Sequence, residues 1–155
     1  MHSTLTVGAI CDCHPATVCA HDTLEQAAQL LFNSDADAVV AIASAAQRPT
    51  VIGIITYRDL LNVLSLGSGL DSVHVLEVLD RNPLVLHEEE EVEAAILKLR
   101  CRGAKHAPVT GPGGTLRGAV SMDRLLGCHC AGRIQLVTPA ELAQHCATTG
   151  NVRTR

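Results

Sequence analysis

The feature that most constrains this chain is an internal repeat. Leu24, Ala27, Ala28 and Leu31 recur as Val92, Ala95, Ile96 and Leu99 at a constant offset of 68 residues. Four apolar residues at i, i+3, i+4 and i+7 mark one buried face of a helix. Their return in register calls for two copies of one supersecondary unit. The flanking signals recur in the same order. Val7, Ile10 and Cys11, with partial helical spacing ahead of Pro15, are matched by Val75, Val78 and Leu79 ahead of Pro83. Short strands are expected at 17–19 and 84–86.

In the first copy, Asp22 and Glu25 form a capping pattern that opens a helix over about 23–33. A buried strand at 38–43, a turn at 44–49 and a strand from Val51 follow. Residues 66–72, LGSGLDS, read as a linker. In the second copy Gly103 closes the helix as a C-cap. A strand at 106–109, a Gly-rich turn at 111–115 and a strand at 116–121 lead into a helix at 122–126. Each half is therefore β-α-β-β-α, and the fold class is α/β (α+β). The expected division is 1–65 for the first repeat, 66–72 for the linker, 73–127 for the second repeat and 128–155 for a C-terminal extension. Thr138, Pro139 and Glu141 in that extension signal a short helix to about Cys146.

Composition excludes several roles. A net charge of −4, with only Phe32 and Tyr57 as aromatics, offers neither a basic surface for duplexes nor a stacking platform for single strands. No apolar run is long enough to span a bilayer, and residues 1–13 lack the charged start and apolar stretch of a signal peptide. A cytoplasmic location is expected, with no nucleic-acid or membrane partner. Seven cysteines cannot all pair within one chain, which fits reduced thiols. No catalytic constellation of Ser, His and Asp is evident, and the expectation is a protein that is not an enzyme and needs no cofactor.

The chemistry-bearing stretch is VIGIITYRDLL at 51–61. A near-continuous apolar run reads as a strand buried on both faces, with Gly53 admitting another backbone or a ligand. If residues 57–64 are helical, Thr56 and the unpaired N–H groups behind it suit a phosphate. Asp59, an acceptor-only carboxylate, suits ribose hydroxyls. Ser, Thr and Asp are also the ordinary residues of a helix start, so capping explains the same letters.

GIITYRDLL at 53–61, GAVSMDRLL at 118–126 and AKHAPV at 104–109 with its Gly-rich turn give the chain its family likeness. Residues 7–126 resemble a tandem pair of cystathionine-β-synthase-type (CBS) domains, a Bateman module. The resemblance implies two repeats packed sheet to sheet about a pseudo-two-fold axis, commonly as a homodimer. It also implies two clefts for adenosine-containing ligands: AMP, ADP, ATP, NAD or S-adenosylmethionine.

Carried onto this sequence, the resemblance puts Thr56 and Arg58 on phosphate and Asp59 on ribose in the first cleft. The adenine would lie against Leu84, Val85 and Ala104, with Lys105 and His106 in reach. The second cleft departs from the pattern. Ser121 keeps the hydroxyl, but Arg124 stands where Asp59 stands in the first repeat, and the acid has moved to Asp123. Arg donates and cannot accept ribose hydroxyls. Its walls would be Ala16, Thr17, Ala36 and Asp37, the last repelling phosphate, so this cleft is expected to be degenerate.

Two short clusters flank the repeats: Cys11, Cys13 and His14 before the first, and Cys128, His129 and Cys130 after the second. Thiols with imidazoles suit a metal or a redox response, although C-x-C is an unusual zinc spacing and buried Cys is commonly a small apolar residue. The function expected is a regulatory module that binds an adenine nucleotide and signals to a partner protein by population shift. The alternatives are a ligand-free dimeric scaffold and a cysteine-based metal or redox sensor.

Overall fold

The computed structural model describes residues 4–45, 47–80 and 82–134. The expected helix at 138–146 lies outside the described residues. The elements run α1 (Val7–Ile10), β1 (Thr17–Cys19), α2 (Leu24–Ser34), β2 (Ala38–Ile42), β3 (Val51–Thr56) and α3 (Tyr57–Ser65). They then repeat as α4 (Val75–Val78), β4 (Leu86–His87), α5 (Val92–Arg102), β5 (His106–Thr110), β6 (Leu116–Ser121) and α6 (Met122–Ile134).

Each half builds a three-stranded sheet, ordered β1-β2-β3 and β4-β5-β6. The first strand runs parallel to the second, the second antiparallel to the third. The order follows from the connections. Helices α2 and α5 supply the crossovers that parallel neighbours need, whereas a short turn suffices between antiparallel strands. The repeated helix faces are buried as their spacing requires: Leu24, Ala27 and Leu31 in one core, Val92, Ala95, Ile96 and Leu99 in the other.

The N-terminal turn of each repeat seals the core of the other. Val7 and Cys11 pack in the second core with Leu86 and Leu99, while Val75, Val78 and Leu79 pack on the first with Leu24 and Leu31. The exchange is reciprocal down to single hydrogen bonds. Val7 N–H donates to Glu90 O at 2.8 Å and Val75 N–H to Asp22 O at 2.9 Å. Gly8 N–H reaches Glu88 O at 2.8 Å, matched by Leu76 N–H to Ala20 O at 3.0 Å. Thr6 bridges Glu91 as His74 bridges Thr23. The sheets also meet at a bridge between Thr50 and Thr115.

Four local expectations are corrected. The cap of α2 is Thr23 with Gln26, not Asp22 with Glu25: Thr23 N–H donates to Gln26 Oε1 at 2.9 Å, and Asp22 instead accepts from Cys19 N–H at 2.8 Å. Strand β4 is Leu86–His87, so Leu84 and Val85 precede it. Gly53 is closely approached by a side chain rather than another backbone, since a Cβ there would lie 2.7 Å from Leu79 Cδ2. Helix α6 continues beyond residue 126 through Ile134, which makes Cys128, His129 and Cys130 helical. Leu125 is buried in the second core, and His129 Nε2 lies 3.6 Å from Glu93 Oε1 on α5, tying this extra length to its neighbour.

The acidic run before α5 is only partly solvated. Glu88 pairs with Arg117 at 2.9 Å and Glu90 with Lys98 at 2.6 Å. Among the described residues, no helix is long and apolar enough to cross a membrane.

Candidate functional site

The first site is a strand end meeting a helix start. β3 delivers Thr56 to the N-cap of α3, and Asp59 is the third residue of that helix. Thr56 N–H and Thr56 Oγ1–H both donate to Asp59 Oδ2, at 2.8 and 3.0 Å. The two residues thus make the capping interaction that was the ordinary explanation of the motif. A carboxylate offers about four lone-pair positions over two oxygens, so Oδ1 is left for further donors. Arg58 is exposed beside them.

Opposite the second repeat's equivalent, a cavity of about 200 Å³ is bounded by both repeats. Asp37, Ala38 and Ile54 come from the first repeat; His106, Ala119, Val120, Ser121 and Arg124 from the second; and Asp12 from the N-terminal segment. Ser121 Oγ accepts Arg124 N–H at 3.2 Å, capping α6 as Thr56 caps α3. His106 Nε2 lies 3.8 Å from Asp37 Oδ2. His106 opens β5 and Asp37 immediately precedes β2, so the pair links the two repeats.

The structure places the other expected residues as follows. His106 lines the cavity that holds Ser121 and Arg124, because it is the cross-strand partner of Ser121 and shares its face of the sheet. Leu84 and Val85 border a groove of about 480 Å³ with Leu97, Lys98, Cys101 and Arg102, whose described lining includes neither Thr56 nor Asp59. Ala104 is half-buried on the second core, Lys105 is exposed, and Lys105 O accepts Met122 N–H at 2.7 Å. Ala16 and Thr17 are half-buried, Ala16 O accepting from Val40 N–H at 2.9 Å. Ala36 N–H donates to Leu31 O at 3.3 Å at the end of α2. Asp123 is exposed at the start of α6.

Asp12 is the cleft residue that sequence reasoning missed. The repeat register matches it with Asp80, and it reaches the cavity because its backbone pairs with Ala119 of β6, with N–H to O distances of 2.8 and 3.0 Å. Gly118 makes this approach feasible, since a Cβ there would overlap the Asp12 carbonyl oxygen.

The flanking cysteines do not assemble a metal centre: among the described residues no group of three or more His, Cys, Asp and Glu could hold one. Cys11 is buried in the second core and Cys13 is exposed. Burial, reinforced by the neighbouring Cys13 thiol, pushes the Cys11 thiol above its ordinary range. Folding therefore disfavours its ionisation. The associated stability is intact below the unfolded thiol value of about 8.5 and is lost as pH rises through the raised folded value. Cys11→Ala is expected to flatten the fall in melting temperature above that pH. An equally steep fall in the variant would remove Cys11 from the account.

Comparison with known proteins agrees with this architecture. Residues 7–66 match the family model of the CBS domain. An uncharacterized protein of Methanopyrus kandleri is 26% identical over 103 residues, covering 66% of this chain and 53% of that protein. The matched region thus spans about half the length of that relative. The CBS domain pair of protein MJ0100, solved with 5′-methylthioadenosine and S-adenosyl-L-methionine, superposes with a TM-score of 0.72 at 19% identity, covering 83% of this chain and 98% of that one. CBS domain protein PAE2072 from Pyrobaculum aerophilum, complexed with AMP, gives 0.70 at 19% identity, covering 90% and 97%. Residues 7–66 are thus similar to a CBS domain, and the two repeats together have the fold of a tandem CBS pair.

Proposed function

We propose that this chain is a non-enzymatic regulatory module that binds an adenosine-containing ligand beside Thr56 and Asp59. The observation that carries the reading is the Asp59 carboxylate, fixed through Oδ2 by Thr56 at the start of α3 and with Oδ1 free to accept. A carboxylate already oriented by its neighbours loses little freedom on taking ribose hydroxyls. Thr56 and the N-terminal N–H groups of α3, with Arg58 nearby, supply the setting for phosphate. The ligands held by the similarly folded MJ0100 pair and PAE2072 support the same ligand class.

Signalling follows from the exchanged turns. A ligand that binds one arrangement of the repeats more tightly shifts the population toward it, and a partner protein reads the difference. The module acts as a homodimer in the cytoplasm under this proposal. The second cleft, with Arg124 in place of a ribose acceptor and two carboxylates on its walls, is degenerate for nucleotides.

The test is a thermal-shift panel of AMP, ADP, ATP, NAD, S-adenosylmethionine and GTP on the purified protein. At a hundredfold excess over the dissociation constant, binding stabilises the folded state by about 2.7 kcal/mol. A shift with at least one adenosine compound, and none with GTP, is expected. No shift with any compound at millimolar concentration would replace this reading with that of a ligand-free scaffold.

A further inference from the structure

We propose that Cys11 and Cys13 form a reversible intrachain disulfide that opens the wall of the second cleft. The two residues flank Asp12, which lies extended against β6, so their side chains leave the same side of the chain. Neither sulfur is committed to a strong contact: Cys11 Sγ lies 3.6 Å from Gly8 O, and Cys13 Sγ 3.8 Å from Cys11 O. Cys13 Sγ is thus turned back toward the backbone of Cys11. The two thiols differ in access, since Cys13 is exposed and Cys11 is 6% exposed.

That asymmetry sets the order of events. The Cys13 thiolate attacks a sulfur of a low-molecular-weight disulfide and releases one thiolate. The Cys11 thiolate then attacks the Cys13 sulfur of the mixed disulfide, releasing the second. Two protein thiols are oxidised to one disulfide, and one external disulfide is reduced to two thiols, which take up the protons.

The consequence reaches the cleft through Asp12. A bond between residues i and i+2 closes a small ring over it, and disulfide geometry brings the two Cβ atoms to about 3.8 Å, closer than an extended strand holds them. Asp12 must leave its extended conformation, and its two hydrogen bonds with Ala119 break. Asp12 and Ala119 both line the cavity that holds Ser121 and Arg124. Oxidation therefore removes one carboxylate from the wall and frees the edge of β6.

Oxidised glutathione added to the full chain, followed by alkylation, digestion and mass spectrometry, tests the bond. The expected product is the peptide containing Cys11 and Cys13, resistant to alkylation and lighter by about 2 Da for the two hydrogens lost. Hydrogen exchange at Ala119 should accelerate at least tenfold, and a thiol reductant should reverse both changes. Cys13→Ser, at an exposed position, should abolish the exchange response, whereas Cys128→Ser should leave it intact. Alkylation of both thiols after treatment, a stable glutathione adduct on Cys13, or an unchanged exchange response in Cys13→Ser would each overturn the proposal.

Discussion

Asp59→Ala is expected to abolish ligand-induced stabilisation and to lower the melting temperature of the ligand-free protein. The two effects have separate origins. The Oδ2 contacts hold Thr56 N–H and Thr56 Oγ1 at the head of α3, and losing such a cap costs about 0.5–2 kcal/mol. In a domain of this size, 1 kcal/mol corresponds to roughly 2–4 °C. Binding suffers more, because hydrogen bonds to a charged acceptor contribute roughly 1.5–3 kcal/mol each. Affinity should therefore fall by about tenfold or more for each ribose hydroxyl released. Asp59→Asn separates the roles. Its amide oxygen still accepts from Thr56, so most of the stability should return while binding stays weak, as read by isothermal titration. A variant that melts early yet responds to nucleotide as the parent does would reduce Asp59 to a helix cap.

The second large effect concerns the core. Leu99→Ala should destabilise the whole chain by roughly 2–5 kcal/mol, the range for a fully buried leucine truncated to alanine. Leu99 is 0% exposed and packs with Val7, Leu86 and Leu125. Val7 arrives there from the N-terminal segment, while Val75 from between the repeats seals the first core. Neither core can open without unseating a turn that belongs to the other. The loss should appear in repeat 1 as fully as in repeat 2. Tyr57 is the only tyrosine and no tryptophan is present, so its fluorescence reports on α3 in the first repeat alone. Urea unfolding of Leu99→Ala should give one transition, with the Tyr57 midpoint lowered as far as the circular-dichroism midpoint. A Tyr57 midpoint left at the parent value would show that the repeats unfold independently.

Much of this was legible in the letters because it depends on local period. The i, i+3, i+4, i+7 faces of α2 and α5 pack as their spacing demands, and β2, β3, β5 and β6 lie within a residue of their expected places. The pairing of Thr56 with Asp59 was equally readable, since a capping interaction spans only three residues. The errors lie where two local solutions compete. Thr23 with Gln26 and Asp22 with Glu25 offer the same capping pattern one residue apart. Asp22 is taken up by Cys19 N–H, and the cap falls to Thr23, whose backbone also bridges His74 of the second repeat.

The sequence by itself determined that there are two β-α-β-β-α units, their faces, and the hydroxyl and carboxylate at the head of α3, because each is a matter of side-chain period and hydrogen bonding within a few residues. Tertiary structure alone decided that Val7 and Val75 exchange cores, that His106 meets Asp37 and lines the cavity that holds Ser121 and Arg124, and that Asp12 joins its wall. These are contacts between residues far apart in the chain. No periodicity records them, because they depend on how two nearly identical apolar faces share the task of excluding water.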